Sequence, residues 1–369
     1  MNGNGQILGV SVVPMETRRE AILHIATTAD RLGYDAFFLP EGWAYDSTVL
    51  LAELATCTQR IQLGSGILGI WGRTAATMAM AAATLHVVSG GRFILGLGAS
   101  TAQLTEGLHD TPFDAPLTRL RHVLTQVRTL LRGERIPLTI TTDARALRLG
   151  IPAVPELPIY VAGLAPASVR LTGELADGWL PFLFPRSQLA EGDRLLREGA
   201  ARTNSGRAVP ICPVIPTAVG DTPAAARQRA AWFIAFYLTT MGELYRRILA
   251  RLGYKAAVEA LMAANAPRTP PIVPADAEVL LEELTIFGTP DSAPTCLAGW
   301  YEAGASMPVL LLGPDLTPDQ IDRTLEVFRD DRRPRGLATR NARAVDGRRR
   351  GSHHRHGTQQ DHDGMGTNG

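Results

Sequence analysis

Three side chains able to move a proton stand out by type and place. Glu41 and Tyr45 fall in LPEGWAYD, residues 39–46, where a carboxylate and two aromatics follow a proline, and His109 falls in EGLHDTPF, residues 106–113. Carboxylates and imidazoles are common general acids and bases, and histidine titrates near neutrality. Each has an inert reading as well: Glu41 as an acid at a helix entry, Trp43 as packing, His109 as an exposed loop residue. Arg73, at the start of the helical run 74–89, reads equally as a site cation or a solvated charge.

A second chemical feature is glycine. Gly96 and Gly98 lie in GGRFILGLGAST, residues 90–101. A dinucleotide turn would need a third glycine three residues after Gly98, a helix opening at once, and an acid about 20 residues further on. Thr101 stands at that position, and residues 101–115 read as loop. Phe93 to Leu97 is an apolar run after a Gly-Gly break, so the two glycines read as strand positions bordering a pocket.

Something must position these groups, and the chain shows a repeat that does so. Apolar, β-rich runs at 7–13, 35–39, 61–67, 92–98, 158–162, 177–182, 209–216 and 308–313 alternate with amphipathic segments such as 17–32, 117–132 and 165–176. Eight strands, each followed by a helix, predict an α/β fold, a (β/α)8 TIM barrel. In a parallel barrel the reactive groups lie at the C-terminal strand ends. That rule collects Glu41, Trp43 and Tyr45 after strand 2, Ser65-Gly66-Ile67 and then Trp71 after strand 3, Ala99-Ser100-Thr101 after strand 4, and Gly163 after strand 5. Small residues at successive strand ends let a flat ligand approach the backbone. Trp43 and Trp71 are expected to line that pocket as walls for a bound ring or the substrate, and to exclude water there.

Two stretches break the repeat. Residues 133–157 form a connection containing Pro and Arg, and residues 220–300 are too long for one crossover and read as an inserted helical segment. Within the latter, Trp232, Phe233, Phe236, Tyr237, Met241 and Tyr245 mark one helix face, read as packing on the barrel or a partner subunit in preference to a substrate lid. Few cations accompany it, which favours a lipophilic, weakly charged substrate over a sugar phosphate. The domain is expected to span 1–331, and the polar tail 332–369, with its HHRH tract, reads as disordered and not as a metal site.

Composition sets outer limits. With 369 residues, 45% hydrophobic, and a formal net charge of +1, the chain can bury a large core, and the near-neutral charge argues against a surface built for nucleic acid or an anionic membrane. No apolar run is long enough to span a bilayer, and no secretion signal is visible. Cys57, Cys212 and Cys296 show no ligand spacing and read as core residues in a reducing cytoplasm, so no metal is expected.

Residues 60–100, RIQLGSGILGIWGRTAATMAMAAATLHVVSGGRFILGLGAS, resemble the signature of the bacterial luciferase-like flavin and deazaflavin oxidoreductases. GYDAFFLPEGW (33–43) and LPIYVAGLAPASVRLTGELADGW (157–179) match in place, and the resemblance covers about residues 7–330. It is closest to the subgroup similar to F420-dependent methylenetetrahydromethanopterin reductases. The resemblance implies a luciferase-like TIM barrel with an insertion near strand 7, and a cofactor ring resting on a strand-3 bulge with a non-proline cis peptide. That bulge is Ser65-Gly66-Ile67, with the cis bond at Gly66-Ile67. By the same resemblance, Glu41 is the family's acidic residue, Ala99, Ser100 and Thr101 contact the ring edge, and Gly163 with Ala165 to Ser168, Ala167 included, holds a phosphate. The implied activity is hydride transfer between coenzyme F420 and a small organic substrate in a cytoplasmic homodimer. An FMN-dependent monooxygenase and a non-catalytic cofactor-binding barrel are the alternatives. Gly42 stands where many relatives carry histidine, and Arg73-Thr74-Ala75 replaces Arg-x-Pro, so Glu41, Tyr45 and His109 compete for acid–base duty.

Overall fold

The alternating apolar runs form parallel strands because each is hydrophobic on both faces and is followed by a helix long enough to cross back over the sheet. The computed structural model describes residues 6–139, 141, 143–203, 206–265 and 271–328. The tail expected at 332–369 lies outside them. The strands are β1 (Gly9–Val12), β2 (Ala36–Leu39), β3 (Gln62–Ser65), β4 (Leu68–Gly69), β5 (Phe93–Gly98), β6 (Ile159–Ala162), β7 (Gly178–Trp179), β8 (Val214–Val219), β9 (Ile286–Gly288) and β10 (Val309–Leu312).

Hydrogen bonding runs β7-β6-β5-β3-β2-β1-β10-β8-β9, parallel throughout. Isolated parallel bridges Trp179↔Ile211 and Phe182↔Val214 carry the pairing from the end of β7 to the segment entering β8. All eight predicted strand regions are present in this barrel-like sheet. Inside it, Phe38, Ile94, Leu180, Cys212, Met307 and Val309 form a buried layer. Outside it, helices such as Arg19–Leu32 and Pro116–Leu131 bury their apolar faces on the strands.

The structure departs from the sequence expectations in three places. Residues 101–115 are not all loop: Ala102–His109 is a helix, started by the Thr101 side chain accepting from the Leu104 N–H at 3.3 Å. The 220–300 segment is not a purely helical insertion either. Its first helix, Pro223–Thr240, is the crossover after β8; β9 then pairs with β8, and Ala293–Glu302 leads on toward β10. Cys57 is exposed, not a core residue, because it closes the helix Ser47–Cys57 on its outer side.

Candidate active site

A cavity of about 830 Å³ opens over the C-terminal ends of the strands. Its floor begins where β3 gives way to β4. Gly64 pairs with Ile94 and Leu68 with Leu97, so four steps along one strand meet three along the other, which is a bulge. The Gly66-Ile67 peptide within it is cis, at the bond the family resemblance indicated. Ser65 locks the bulge to the next strand: its buried Oγ donates to the Gly96 carbonyl and accepts from the Gly96 N–H, both at 2.8 Å. Only glycine fits at 96, since a Cβ there would stand 1.9 Å from the Ser65 carbonyl oxygen. Gly96 therefore serves close strand packing, not a phosphate turn.

Glu41 leaves the end of β2 and is engaged on both carboxylate oxygens. Oε1 pairs with Arg73, and Oε2 receives the Gly69 N–H at 3.4 Å. The Glu41 N–H in turn donates to the Ile67 carbonyl at 3.3 Å, so this residue clasps the bulge from two sides. Arg73 also reaches Asp46 at 2.8 Å, and Asp46 caps the helix Ser47–Cys57. The Asp46 carboxyl is held below its ordinary range: partial burial works the other way, but the Thr48 hydroxyl and Arg73 outweigh it.

The other predicted residues separate into those that meet the cavity and those that do not. Glu41, Trp43, Gly66, Ile67, Ala99, Ser100, Thr101, Gly163, Ala167 and Ser168 line it. Ser65 does not, because its side chain is spent on Gly96. Trp71 does not, because it turns inward: it is 7% exposed, donates from Nε1 to the Ala99 carbonyl at 2.7 Å, packs on Phe113 and lies under the Arg119 guanidinium. Tyr45 is 52% exposed and is not among the lining residues. His109 is exposed at the helix end, its ring covering Gly72, and is not among the lining residues. Of the three competing acid–base candidates, only Glu41 reaches the cavity.

The helix Pro166–Leu175 opens on the same space. Its N-cap, Ala165, supplies no side-chain hydrogen bond, so the first-turn N–H groups keep the positive end of the helix free for an anion. Ala167 and Ser168 line the cavity at that point.

Several lining residues were not among the predicted site residues. Gln103, Leu104, Gly107 and Leu108 come from the helix read as loop, where the Thr101 cap was the missed signal. Phe182, Tyr237 and Tyr245 form an aromatic wall, with Phe182 5.0 and 5.5 Å from the two tyrosine rings. The helix face carrying Phe233 and Tyr237 does pack on the barrel, and Phe236, Tyr237, Met241 and Tyr245 line the cavity as well. Among the described lining residues, Glu41 is the only Asp, Glu, Lys, Arg or His. Also among the described residues, no group of three or more His, Cys, Asp or Glu is placed to hold a metal, and no helix is long and apolar enough to cross a membrane.

Comparison with known proteins places this architecture. The luciferase-like monooxygenase family profile matches residues 6–307. A Mycobacterium tuberculosis protein with the provisional name coenzyme F420-dependent oxidoreductase is 31% identical over 314 residues, 78% of this chain and 90% of that protein. The structure of the coenzyme F420-dependent tetrahydromethanopterin reductase from Methanopyrus kandleri superposes with a TM-score of 0.70 at 20% identity, covering 87% of this chain and 97% of that one. The FMN-bound oxygenating component of a diketocamphane monooxygenase from Pseudomonas putida superposes at 0.66 with 18% identity, over 88% and 98% of the two chains.

Proposed function

The chain belongs to the luciferase-like monooxygenase family, and on that premise we propose that it is an oxidoreductase passing a hydride between coenzyme F420 and a small, uncharged organic substrate. One observation carries the reading. The cavity over the strand ends has a floor of backbone and small side chains, and Glu41, the only charged residue among the described lining residues, is paired with Arg73. Such a site offers shape and hydrogen-bonding backbone, and leaves the redox step to a cofactor.

The residues present fit that cofactor. The bulge at Gly66-Ile67 and the run Ala99 to Thr101 make a low platform suited to a flat ring, and Ala167 and Ser168 at the uncapped helix start suit a phosphate. When bound, F420 supplies hydride chemistry. The chain's own residues orient the cofactor and shape the site: Glu41 and Arg73 hold the bulge in place, while Leu104 and Phe113 give one side an apolar lining. The names of the M. tuberculosis relative and the M. kandleri structure support F420, and the FMN-bound neighbour defines the competing reading. The same proposal includes a complete (β/α)8 barrel within residues 1–331, a homodimer and a cytoplasmic location. Deleting 332–369 is expected to leave melting temperature and turnover unchanged.

The test is a titration of the purified protein with F420 and, separately, FMN, following cofactor fluorescence. Micromolar binding of F420 and F420-dependent turnover are expected. Binding of FMN with none of F420 overturns the reading in favour of a flavin monooxygenase, and binding without any turnover makes the barrel a carrier.

A further inference from the structure

The aromatic wall contains two polar atoms that the fold does not use. Tyr237 is 2% exposed and Tyr245 is packed beside it, ring centroids 6.1 Å apart, both against Phe182. Both line the cavity, and neither hydroxyl has a hydrogen-bond partner among the described residues. Of the other hydroxyls that line this space, Ser11 is bonded to the Phe38 carbonyl, Thr101 to the Leu104 N–H, Thr240 to the Phe236 carbonyl and Ser168 to the Ala165 carbonyl, while Ser100, next to the bulge, makes no side-chain hydrogen bond among the described residues. Around the tyrosines the wall is apolar, made of Phe182, Met241, Leu244 and Ile248. Tyr237 is buried and Tyr245 half-buried, and their hydroxyls sit in an apolar cavity wall with no protein acceptor among the described residues, so the pair marks a place where a ligand oxygen can bind.

We propose that Tyr237 and Tyr245 are the polar anchor of the substrate, and that the substrate is an apolar, uncharged ketone, or its secondary alcohol, whose oxygen is held by these two hydroxyls. Burial pushes both phenols above their ordinary range, so each stays protonated and donates. Charge is selected against: with no Lys, Arg or His among the described lining residues, a carboxylate or phosphate on the substrate would be desolvated without a partner at this wall. The reaction assigned to the couple rests on the F420 reading; the binding does not. In the reductive direction the carbonyl carbon gains the hydride given up by the reduced cofactor, the π pair moves to oxygen, and oxygen takes a proton drawn from water. The two donors favour the oxygen as it gains charge.

Isothermal titration of the whole chain, with and without F420, using benzophenone, diphenylmethane and diphenylacetate as probes, tests the anchor. Tyr237→Phe, Tyr245→Phe and the double variant remove only the hydroxyls and keep the rings. Wild type is expected to bind benzophenone more tightly than diphenylmethane and to reject diphenylacetate. The double variant is expected to lose about tenfold for benzophenone and nothing for diphenylmethane, with F420 affinity unchanged. Equal benzophenone affinity in wild type and both single variants, a preference for diphenylacetate, or no benzophenone binding at all overturns the proposal. If the expected probe pattern holds while F420 fails to bind, the anchor stands and the F420 reading falls. If F420 binds and the pattern fails, only the anchor falls.

Discussion

The Glu41 carboxylate and the Arg73 guanidinium pair at the cavity wall with side chains only 12% and 16% exposed, and through this pair the end of β2 is tied to the start of the helix Ala75–Val88. Glu41 also holds the Gly69 N–H, so the pair braces the bulge that forms the cavity floor. Arg73→Ala leaves a largely buried carboxylate uncompensated, at a cost of about 2 kcal/mol. Calorimetry is expected to show a melting temperature lower by roughly 3 °C for a chain of this size. F420 affinity falls with it, whereas Arg73→Lys keeps most of both.

Ser65 and Gly96 form the second brace. Ser65→Ala strands a buried N–H and a buried carbonyl on Gly96, costing about 1–3 kcal/mol. Gly96→Ala is expected to be worse, because a methyl cannot stand 1.9 Å from the Ser65 carbonyl oxygen without moving a strand. Denaturant unfolding of the two variants checks the order; equal stability would mean the strands separate freely here.

The two tryptophans after β2 and after the bulge part company. Trp71→Ala removes a buried ring, its hydrogen bond to Ala99 and its contacts with Phe113 and Arg119, for a loss of about 3–5 kcal/mol. Trp43 lines the cavity while half exposed, so Trp43→Ala leaves the melting temperature nearly unchanged and weakens ligand binding. His109→Ala and Tyr45→Phe, outside the lining, are expected to leave turnover unchanged.

Acid stability depends in part on Glu174. Its side chain is 13% exposed, and the bidentate hydrogen bond from Arg121, aided by Arg202, holds its carboxyl below the ordinary 4.5 despite partial burial. A carboxyl depressed in the folded state adds stability that is complete above the unfolded value and is lost as pH falls through the folded one. Melting temperature is therefore expected to hold above about pH 4.5 and to decline below it, with Glu174→Gln showing a shallower acid limb.

The repeat of apolar runs and helices, and with it the strand ends that border the cavity, was legible in the sequence, because strand and helix periodicity are local properties of the chain. The site of the bulge was legible too, at Ser65-Gly66-Ile67, through a family pattern of adjacent residues. Side-chain direction at those ends was not. Ser65 faces β5 and Trp71 faces Phe113 because their partners lie 31 and 42 positions further along the chain, and a bulge reverses the alternation that would otherwise assign each side chain a face. Tyr237 and Tyr245 were read as one apolar helix face, but the first helix ends at Thr240 and Tyr245 lies on the next one, Leu244–Leu249; that both line the same cavity depends on how the chain after β8 folds back. Local pattern determines which segments become strands and helices; long-range packing determines which of their atoms meet in the same cavity, since that depends on contacts no short window of sequence contains.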